Sequence, residues 1–245
     1  MLDGIDIGLF LLAFLIIFFA GVVQGTAGFG FGLVTVSLLG CVMDIKQVTI
    51  VSSISGLAMI LSLIWQLRSH FRWSRIMPVF ISLVIAGPAG VFFLVHADKD
   101  LVKTFLGIFL IGTTIYHVYP LKERRAWHPL FLGIPCGLMG GLFGGAFGTG
   151  GPPLVVYMTN QHFSKLRYAV SLQFLFLTNG VLRLAILGPV GFIEKQTVIL
   201  GVCGVVFSMT GAFFGLKAMR RIPEDVFKKG VIAMLFLLGI RYLVI

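Results

Sequence analysis

Apolar residues recur along the chain in long stretches, which short polar connections separate. Most stretches hold about twenty residues, and an α-helix of that length crosses the ~30 Å hydrocarbon layer of a bilayer. The pattern therefore predicts an all-α integral membrane protein that crosses the bilayer several times. The eight stretches cover residues 7–39, 48–67, 77–95, 101–119, 129–158, 168–187, 198–216 and 226–245.

Glycine interrupts the first and the fifth stretch, and both are too long for one ordinary span. The glycine clusters cover residues 25–32 and 144–153, and the second cluster ends in Pro152 and Pro153. Glycine costs ~1 kcal/mol and proline ~3 kcal/mol in a helix interior. We therefore expect each of these two segments to be a broken helix, either re-entrant or discontinuous.

The two glycine clusters match each other at an offset close to half the chain, which indicates a duplicated unit. We predict two membrane repeats, residues 1–120 and 121–245, each with one glycine-broken segment and three transmembrane helices. The alternative is coincidence in a chain rich in glycine and phenylalanine. The matched positions are Gly25 with Gly145, Gly28 with Gly148, and Gly30 with Gly150.

The distribution of Lys and Arg distinguishes two topologies, because cytoplasmic loops collect these residues. If all eight segments simply cross, about eight Lys and Arg face one side and about ten face the other. If each broken segment returns to the side from which it entered, roughly thirteen Lys and Arg face one side and about five face the other. Each half then crosses an odd number of times, which gives inverted-topology repeats with both termini outside. The basic positions on the shared face would be Arg68, Arg72, Arg75, Lys122, Arg124, Arg125, Lys165, Arg167, Lys217, Arg220, Arg221, Lys228 and Lys229.

Composition supports a membrane protein and excludes other classes. The chain is 58% apolar and only 11% charged, whereas soluble proteins average about 25% charged residues. A soluble enzyme, a nucleic-acid-binding module and a disulfide-stabilised secreted domain are all poor interpretations. The formal net charge of +10 is explained by membrane topology, so we expect the lipid bilayer as a partner and no nucleic acid.

The helix breaks indicate a binding site for an anion. Broken backbone at membrane depth is tolerated only where protein or a water-filled cavity surrounds it. A half-helix that starts after a break presents free N–H groups and a partial positive charge. The alternative is that the glycines only allow close helix packing. The predicted substrate-binding residues at the breaks are Gln24, Thr26, Gly28, Gly30, Gly148, Thr149, Gly150 and Gly151.

Asn179 and Arg183 extend this candidate site, because residues four apart share one face of a helix. Arg183 would attract an anion, or alternatively it extends to the membrane interface. All nine acidic residues fall near segment ends, so a cation site at mid-membrane is a poor interpretation. The sequence also lacks the motifs of ATPases and of familiar hydrolases. We therefore predict neither a cofactor nor enzymatic activity.

The two glycine motifs and the chain length resemble the TauE/SafE family of sulfite exporter-like membrane proteins. The motifs are Gly21-Val22-Val23-Gln24-Gly25-Thr26-Ala27-Gly28-Phe29-Gly30 and Gly144-Gly145-Ala146-Phe147-Gly148-Thr149-Gly150-Gly151-Pro152-Pro153. The resemblance implies a bacterial or archaeal inner-membrane transporter for small sulfur-containing anions such as sulfite or sulfonates.

Three functional hypotheses follow. The first is alternating access, with an anion bound at the paired breaks and one helix bundle moving against the other. The second is a passive anion channel, and the third is a non-transporting membrane enzyme or assembly factor. Glycine-rich faces are also compatible with a homodimer. For the transporter hypothesis, we expect Gly150→Leu to abolish transport while the protein stays folded.

Overall fold

The protein is described by a computed structural model that covers residues 7–118, 128–161, 163–189, 193–218 and 224–244. These residues form ten α-helices, joined by short connections. The helices are α1 (Ile7–Ala27), α2 (Phe31–Leu39), α3 (Ile45–Leu67), α4 (Met77–His96), α5 (Lys99–Val118), α6 (Pro129–Phe147), α7 (Gly151–Asn160), α8 (Lys165–Leu187), α9 (Lys195–Ala218) and α10 (Glu224–Val244). The basic residues Lys122, Arg124, Arg125, Arg220 and Arg221 lie outside the described residues.

Within the described ranges, six helices are long and apolar enough to cross a membrane: α1, α3, α4, α6, α8 and α9. The prediction of an all-helical, multi-pass membrane protein is therefore confirmed. The first and fifth apolar stretches each contain two helices, a long one followed by a short one. The short helices α2 and α7 have nine and ten residues. At 1.5 Å per residue each is only roughly 15 Å long, about half the hydrocarbon thickness.

Helices α1 and α9 pack closely through glycine. A Cβ atom added to Gly21 would lie 2.5 Å from the carbonyl oxygen of Ser208, and one added to Gly25 would lie 3.0 Å from Cα of Ala212. Small residues let membrane helices approach at backbone distance. Residue numbers rise together in both pairs, so α1 and α9 run in the same direction.

Helices α4 and α6 pack in the same way. A Cβ atom at Gly141 would lie 2.5 Å from the carbonyl oxygen of Leu83, and one at Gly145 would lie 3.2 Å from Cα of Gly87. These two helices therefore also run parallel. Because α1 and α4 precede the middle of the chain and α6 and α9 follow it, each close pair joins the two halves of the sequence.

One end of the molecule contains the α2–α3 connection, the α4–α5 connection and the end of α10. The side chain of Lys99 forms an ion pair of 2.8 Å with Asp44. The hydroxyl of Tyr242 donates a hydrogen bond of 2.9 Å to the carbonyl oxygen of Ser37. We call this end the Asp44 end.

The opposite end contains the α3–α4 connection and the end of α7. The Arg75 side chain donates a hydrogen bond of 3.4 Å to the carbonyl oxygen of Gln161. The Tyr157 hydroxyl donates to the carbonyl oxygen of Arg75. We call this end the Arg75 end.

The long helices form two bundles. Bundle A contains α1, α3 and α9, and bundle B contains α4, α6 and α8. The bundles meet where α3 contacts α8, and a Cβ atom at Gly180 of α8 would lie 3.4 Å from Leu57 of α3. Helices α5 and α10 pack on each other, and Phe109 of α5 stacks on Phe143 of α6 with ring centroids 4.0 Å apart.

Candidate functional site

Glycine makes both helix breaks possible. Between α1 and α2, Gly28 and Gly30 have φ angles of 78° and 108°. Between α6 and α7, Gly148 has a φ angle of 69°. These left-handed conformations place the Cβ of any other L-residue in steric conflict, whereas glycine adopts them readily. The chain can therefore change direction at both breaks without unwinding the flanking helices.

The two breaks touch each other although more than a hundred residues separate them in sequence. A Cβ atom at Gly151 would lie 3.1 Å from the ring of Phe29, and one at Gly32 would clash with the carbonyl oxygen of Gly148. The N-terminus of α2 therefore lies against the break between α6 and α7. This contact depends on glycine at position 32, because a Cβ atom there would meet backbone atoms of Gly148.

Two buried glutamines hold the first break in shape. Oε1 of Gln24 accepts a hydrogen bond of 3.0 Å from the backbone N–H of Phe31, the first residue of α2. Nε2 of Gln24 donates to Oε1 of Gln173 at 3.1 Å. Nε2 of Gln173 in turn donates to the carbonyl oxygen of Gly28 at 3.0 Å. The Gln24 amide therefore positions the start of α2, and its hydrogen-bonding groups are used within the protein.

A cavity of about 50 Å³ lies where the two breaks meet the interface between bundles A and B. A water molecule needs about 10–15 Å³ by this measure, so the cavity has room for an ion of a few heavy atoms. Its lining residues come from both breaks and from α3, α6 and α8. They are Gln24, Gly30, Phe31, Gly32, Leu33, Ser52, Ser53, Gly56, Leu57, Ile60, Gly144, Gly148, Thr149, Gly150, Gly151, Phe176, Asn179, Gly180 and Arg183.

Backbone N–H groups at the starts of α2 and α7 are available at this cavity. The first N–H groups of a helix have no acceptor within the helix. Gly32 and Leu33 line the cavity at the second and third positions of α2, and their N–H groups make no hydrogen bond within the described part of the chain. Helix α7 offers fewer donors, because Pro152 and Pro153 have no N–H.

Arg183 brings a positive charge to the cavity. Its side chain is only 3% exposed, which rules out the alternative that it extends to the membrane interface. Nη2 donates to the carbonyl oxygen of Gly144 at 2.9 Å, and Nη1 donates to that of Thr49 at 3.4 Å. Nε is buried and has no hydrogen-bond partner among the described residues. Nor do the described residues give Arg183 a carboxylate partner.

Asn179 lies one helical turn from Arg183 and also lines the cavity. Its Nδ2 donates a hydrogen bond of 3.2 Å to the carbonyl oxygen of Gly140. Its Oδ1 is buried without a partner among the described residues. Buried polar atoms without partners are rare in native proteins, and each one needs an explanation such as a water or an ion. Nε of Arg183 is a donor and suits an anion, whereas Oδ1 of Asn179 is an acceptor and would be satisfied by a water molecule or another donor.

Eight of the ten predicted site residues line the cavity: Gln24, Gly30, Gly148, Thr149, Gly150, Gly151, Asn179 and Arg183. Thr26 and Gly28 do not line it. The Thr26 hydroxyl donates to the carbonyl oxygens of Val22 and Val23, both at 2.9 Å, within its own helix. The carbonyl oxygen of Gly28 accepts from the two glutamines.

Sequence reasoning missed the free donors of α2 and one apolar wall. It expected backbone donors near Gly28 to Gly30 and near Gly148 to Gly151, and it did not name the N–H groups of Gly32 and Leu33, which also line the cavity. Phe176 of α8 adds an aromatic wall that no motif marks. The rule that the first three N–H groups of a helix are free would have found the donors, once Phe31 was known to start α2.

The position of Gly150 changes how the Gly150→Leu expectation is tested. A Cβ atom at Gly150 would clash with the carbonyl oxygen of Gly140 and lie 3.2 Å from Cα of Gly144. Any larger residue there pushes α7 away from α6. Gly150→Leu therefore disturbs helix packing as well as the cavity, and a side chain that lines the cavity is a cleaner target.

The described residues define a multi-pass membrane protein with a central cavity at two helix breaks. The sequence profile of the family "Sulfite exporter TauE/SafE" matches residues 13–242, which is nearly the whole chain. The chain therefore belongs to the sulfite exporter TauE/SafE family, and membership makes it a membrane transporter related to sulfite exporters. No curated protein and no solved structure matches it.

The described residues contain no cluster of three or more His, Cys, Asp or Glu side chains that could hold a metal ion. The polar groups at the cavity are backbone N–H groups, hydroxyls, amides and one guanidinium. This donor set suits an anion.

Proposed function

We propose that the protein transports small sulfur-containing anions, such as sulfite or a sulfonate, through the cavity between the two helix breaks. The buried guanidinium of Arg183 supports this most strongly. A buried charge without a counter-ion is costly, and a bound anion would lower that cost. The free N–H groups of Gly32 and Leu33 lie at the same cavity and suit an oxyanion.

We further propose that residues 1–120 and 121–245 form two repeats with inverted topology. Helices α1 to α5 then correspond in order to α6 to α10. The close α1–α9 pair corresponds to the close α6–α4 pair under this exchange, which is what a pseudo-two-fold axis requires. Helix α1 runs parallel to α9 away from the Asp44 end, and α2 returns to that end. Helices α6 and α7 start and finish at the Arg75 end, and these opposite directions support an inversion.

We propose that the protein is an inner-membrane transporter. Its Arg75 end would face the cytoplasm. Arg68, Arg72, Arg75 and Arg167 lie at this end, and the positive-inside rule places such residues in the cytoplasm. Both termini would then lie outside. This assignment agrees with the topology that places roughly thirteen basic residues on one side of the membrane and about five on the other.

Alternating access would follow from movement between bundles A and B. The cavity has walls from both bundles: Ser52, Gly56 and Leu57 belong to α3, and Phe176 and Arg183 belong to α8. Sliding or rocking along the α3–α8 contact would open the cavity first to one end and then to the other. An anion bound mainly by neutral donors and one cation can also be released again.

Flux from proteoliposomes tests the proposal. Purified protein is reconstituted, and efflux of labelled sulfite and small sulfonates is measured with wild type, Arg183→Gln and Arg68→Gln. Arg68 is an exposed arginine whose guanidinium lies 4.0 Å over the Trp65 ring, so its variant is the matched control. We expect saturable flux in wild type and in Arg68→Gln, and a loss of at least tenfold in Arg183→Gln.

Two results would count against the proposal. If folded wild-type protein moves none of these anions, the transport assignment for this substrate class is wrong. If Arg183→Gln transports as well as wild type, the cavity is not the binding site. Single-channel currents in a planar bilayer would favour the passive channel over alternating access.

A further inference from the structure

The charge in the cavity comes from one side chain. Among the described residues that line the cavity, Arg183 is the only one with a titratable side chain. The other polar groups there belong to Gln24, Ser52, Ser53, Thr149 and Asn179, and all of them are neutral. The walls contributed by α2, α3, α6, α7 and α8 therefore hold a single full positive charge.

We infer that the cavity accepts monoanions and discriminates strongly against dianions; this inference rests on the proposed function. A bound monoanion neutralises Arg183 and leaves no net charge in the cavity. A dianion leaves an uncompensated negative charge in a buried, low-dielectric site, which is costly. The substrate of this class is therefore a singly charged oxyanion, such as hydrogen sulfite or a sulfonate.

The dehydration of the ion strengthens this discrimination. The cost of removing an ion from water rises with the square of its charge, whereas its attraction to one guanidinium rises only in proportion to the charge. A dianion therefore incurs roughly four times the dehydration cost of a monoanion for twice the attraction. Among the described residues, no second cation lines the cavity to offset the extra dehydration cost of a dianion.

The remaining hydrogen-bond donors suit one oxyanion head group. A guanidinium has five N–H groups, and Arg183 uses two of them on the carbonyl oxygens of Gly144 and Thr49. The other N–H groups of Arg183 are not the only donors at the cavity. The N–H groups of Gly32 and Leu33 lie there too, as does the hydroxyl of Ser52, which has no hydrogen-bond partner among the described residues. This set can serve the oxygens of one sulfonate-type group.

The apolar part of the cavity indicates what else the monoanion contains. Phe31, Leu33, Leu57, Ile60 and Phe176 line it together with the polar groups. An oxygen atom placed against these side chains would lose hydrogen bonds with water and gain none. A small alkyl group would be accepted there, so an alkyl sulfonate should fit better than an ion with oxygen on every side.

A comparison of methanesulfonate, perchlorate and sulfate distinguishes the effect of ionic charge from that of ionic size. All three are tetrahedral ions with the same number of non-hydrogen atoms, and only sulfate is a dianion. Uptake into proteoliposomes is measured for each ion with wild type, Arg183→Lys and Arg183→Gln. We expect methanesulfonate and perchlorate to be transported at least tenfold faster than sulfate, and Arg183→Lys to retain part of this transport.

The membrane potential that balances a concentration gradient then gives the net charge moved with each ion. If methanesulfonate crosses without a coupled ion, a tenfold concentration gradient should be balanced by a potential of about 59 mV, as for one elementary charge. This value should not change with pH, because methanesulfonate stays a monoanion. Sulfite flux should rise as the medium is acidified and hydrogen sulfite becomes the main species.

The outcomes distinguish the inference from the proposed function. Sulfate flux equal to methanesulfonate flux would overturn monoanion selectivity and leave transport of sulfur anions standing. Flux of none of the three ions and none of sulfite, from folded protein, would overturn the proposed function and with it the inference. If Arg183→Gln does not fold, the wild-type flux ratios of methanesulfonate, perchlorate and sulfate decide between these outcomes.

Discussion

Nη2 of Arg183 donates a hydrogen bond of 2.9 Å to the carbonyl oxygen of Gly144, in the last turn of α6. Basic side chains often bind the last carbonyl groups of a helix and interact favourably with its negative end. The same guanidinium lines the cavity. Arg183 therefore connects the second helix break directly to the place where we propose that the anion binds.

This relationship predicts that Arg183 contributes to binding more than to stability. In Arg183→Gln, the cost of a buried charge disappears, so we expect a melting temperature in detergent equal to or above that of wild type. Methanesulfonate should raise the melting temperature of wild type and leave that of the variant unchanged. A large destabilisation of the variant would show that Arg183 is mainly a structural cap of α6.

The amide network at the first break predicts coupled effects of two glutamines. Gln24→Ala leaves the buried N–H of Phe31 without its acceptor, which costs about 1–3 kcal/mol of unfolding free energy. Because Gln24 and Gln173 bond each other, the double variant should lose less than the sum of the single variants, with a coupling of about 0.5–3 kcal/mol. Gln66→Ala, on an exposed face of α3, is the control. Additive losses measured by thermal unfolding would contradict the network.

The left-handed backbone at the second break predicts intolerance of a methyl group at Gly148. Alanine at its φ of 69° costs about 1–2 kcal/mol, and the added Cβ would lie 2.8 Å from Nη1 of Arg183. We expect Gly148→Ala to lower both the melting temperature and anion flux. Gly112 on α5 has open space around the added Cβ, so Gly112→Ala should have neither effect. Equal behaviour of the two variants would argue against a strained break.

The α3–α8 contact predicts a change in size selectivity. A Cβ atom at Gly180 would lie 3.4 Å from Leu57, an ordinary contact, so Gly180→Ala should fold normally and narrow the cavity. Ethanesulfonate flux should fall several-fold more than methanesulfonate flux. Equal losses for both ions would show that Gly180 affects movement of the bundles and not the size of the cavity.

The ion pair at the Asp44 end predicts a dependence of stability on pH. Burial by itself raises the pKa of Asp44, but the hydrogen bonds from Lys99 and from the backbone N–H of Lys46 outweigh it and hold this pKa below its ordinary value. The folded protein therefore gains stability from the charged carboxylate above the ordinary pKa of about 4, and loses it as the pH falls through the lower, folded value. Asp44→Ala also removes the N-cap of α3 and should cost about 1 kcal/mol at neutral pH. Thermal unfolding against pH should show the two proteins converging in acid, and a constant difference would contradict this.

The sequence alone determined the class of the protein and the positions of its breaks, because both depend on local properties. Long apolar runs specify membrane helices wherever they occur, and the glycines at Gly28, Gly30 and Gly148 interrupt helices through their own backbone freedom. The paired glycine clusters were also enough to indicate the TauE/SafE family, because each motif consists of consecutive residues and can be recognised without the fold.

Only the tertiary structure decided which of these groups meet and which are free. Gln24 and Gln173 are 149 positions apart, and their hydrogen bond exists because α8 packs across the first break. Thr26 suits an anion site by type, but its hydroxyl bonds the preceding turn. Arg183 could have reached the interface, and it is buried because bundle A covers it. Partners so distant in sequence leave no local pattern, so burial and hydrogen bonding had to be read from the packed helices.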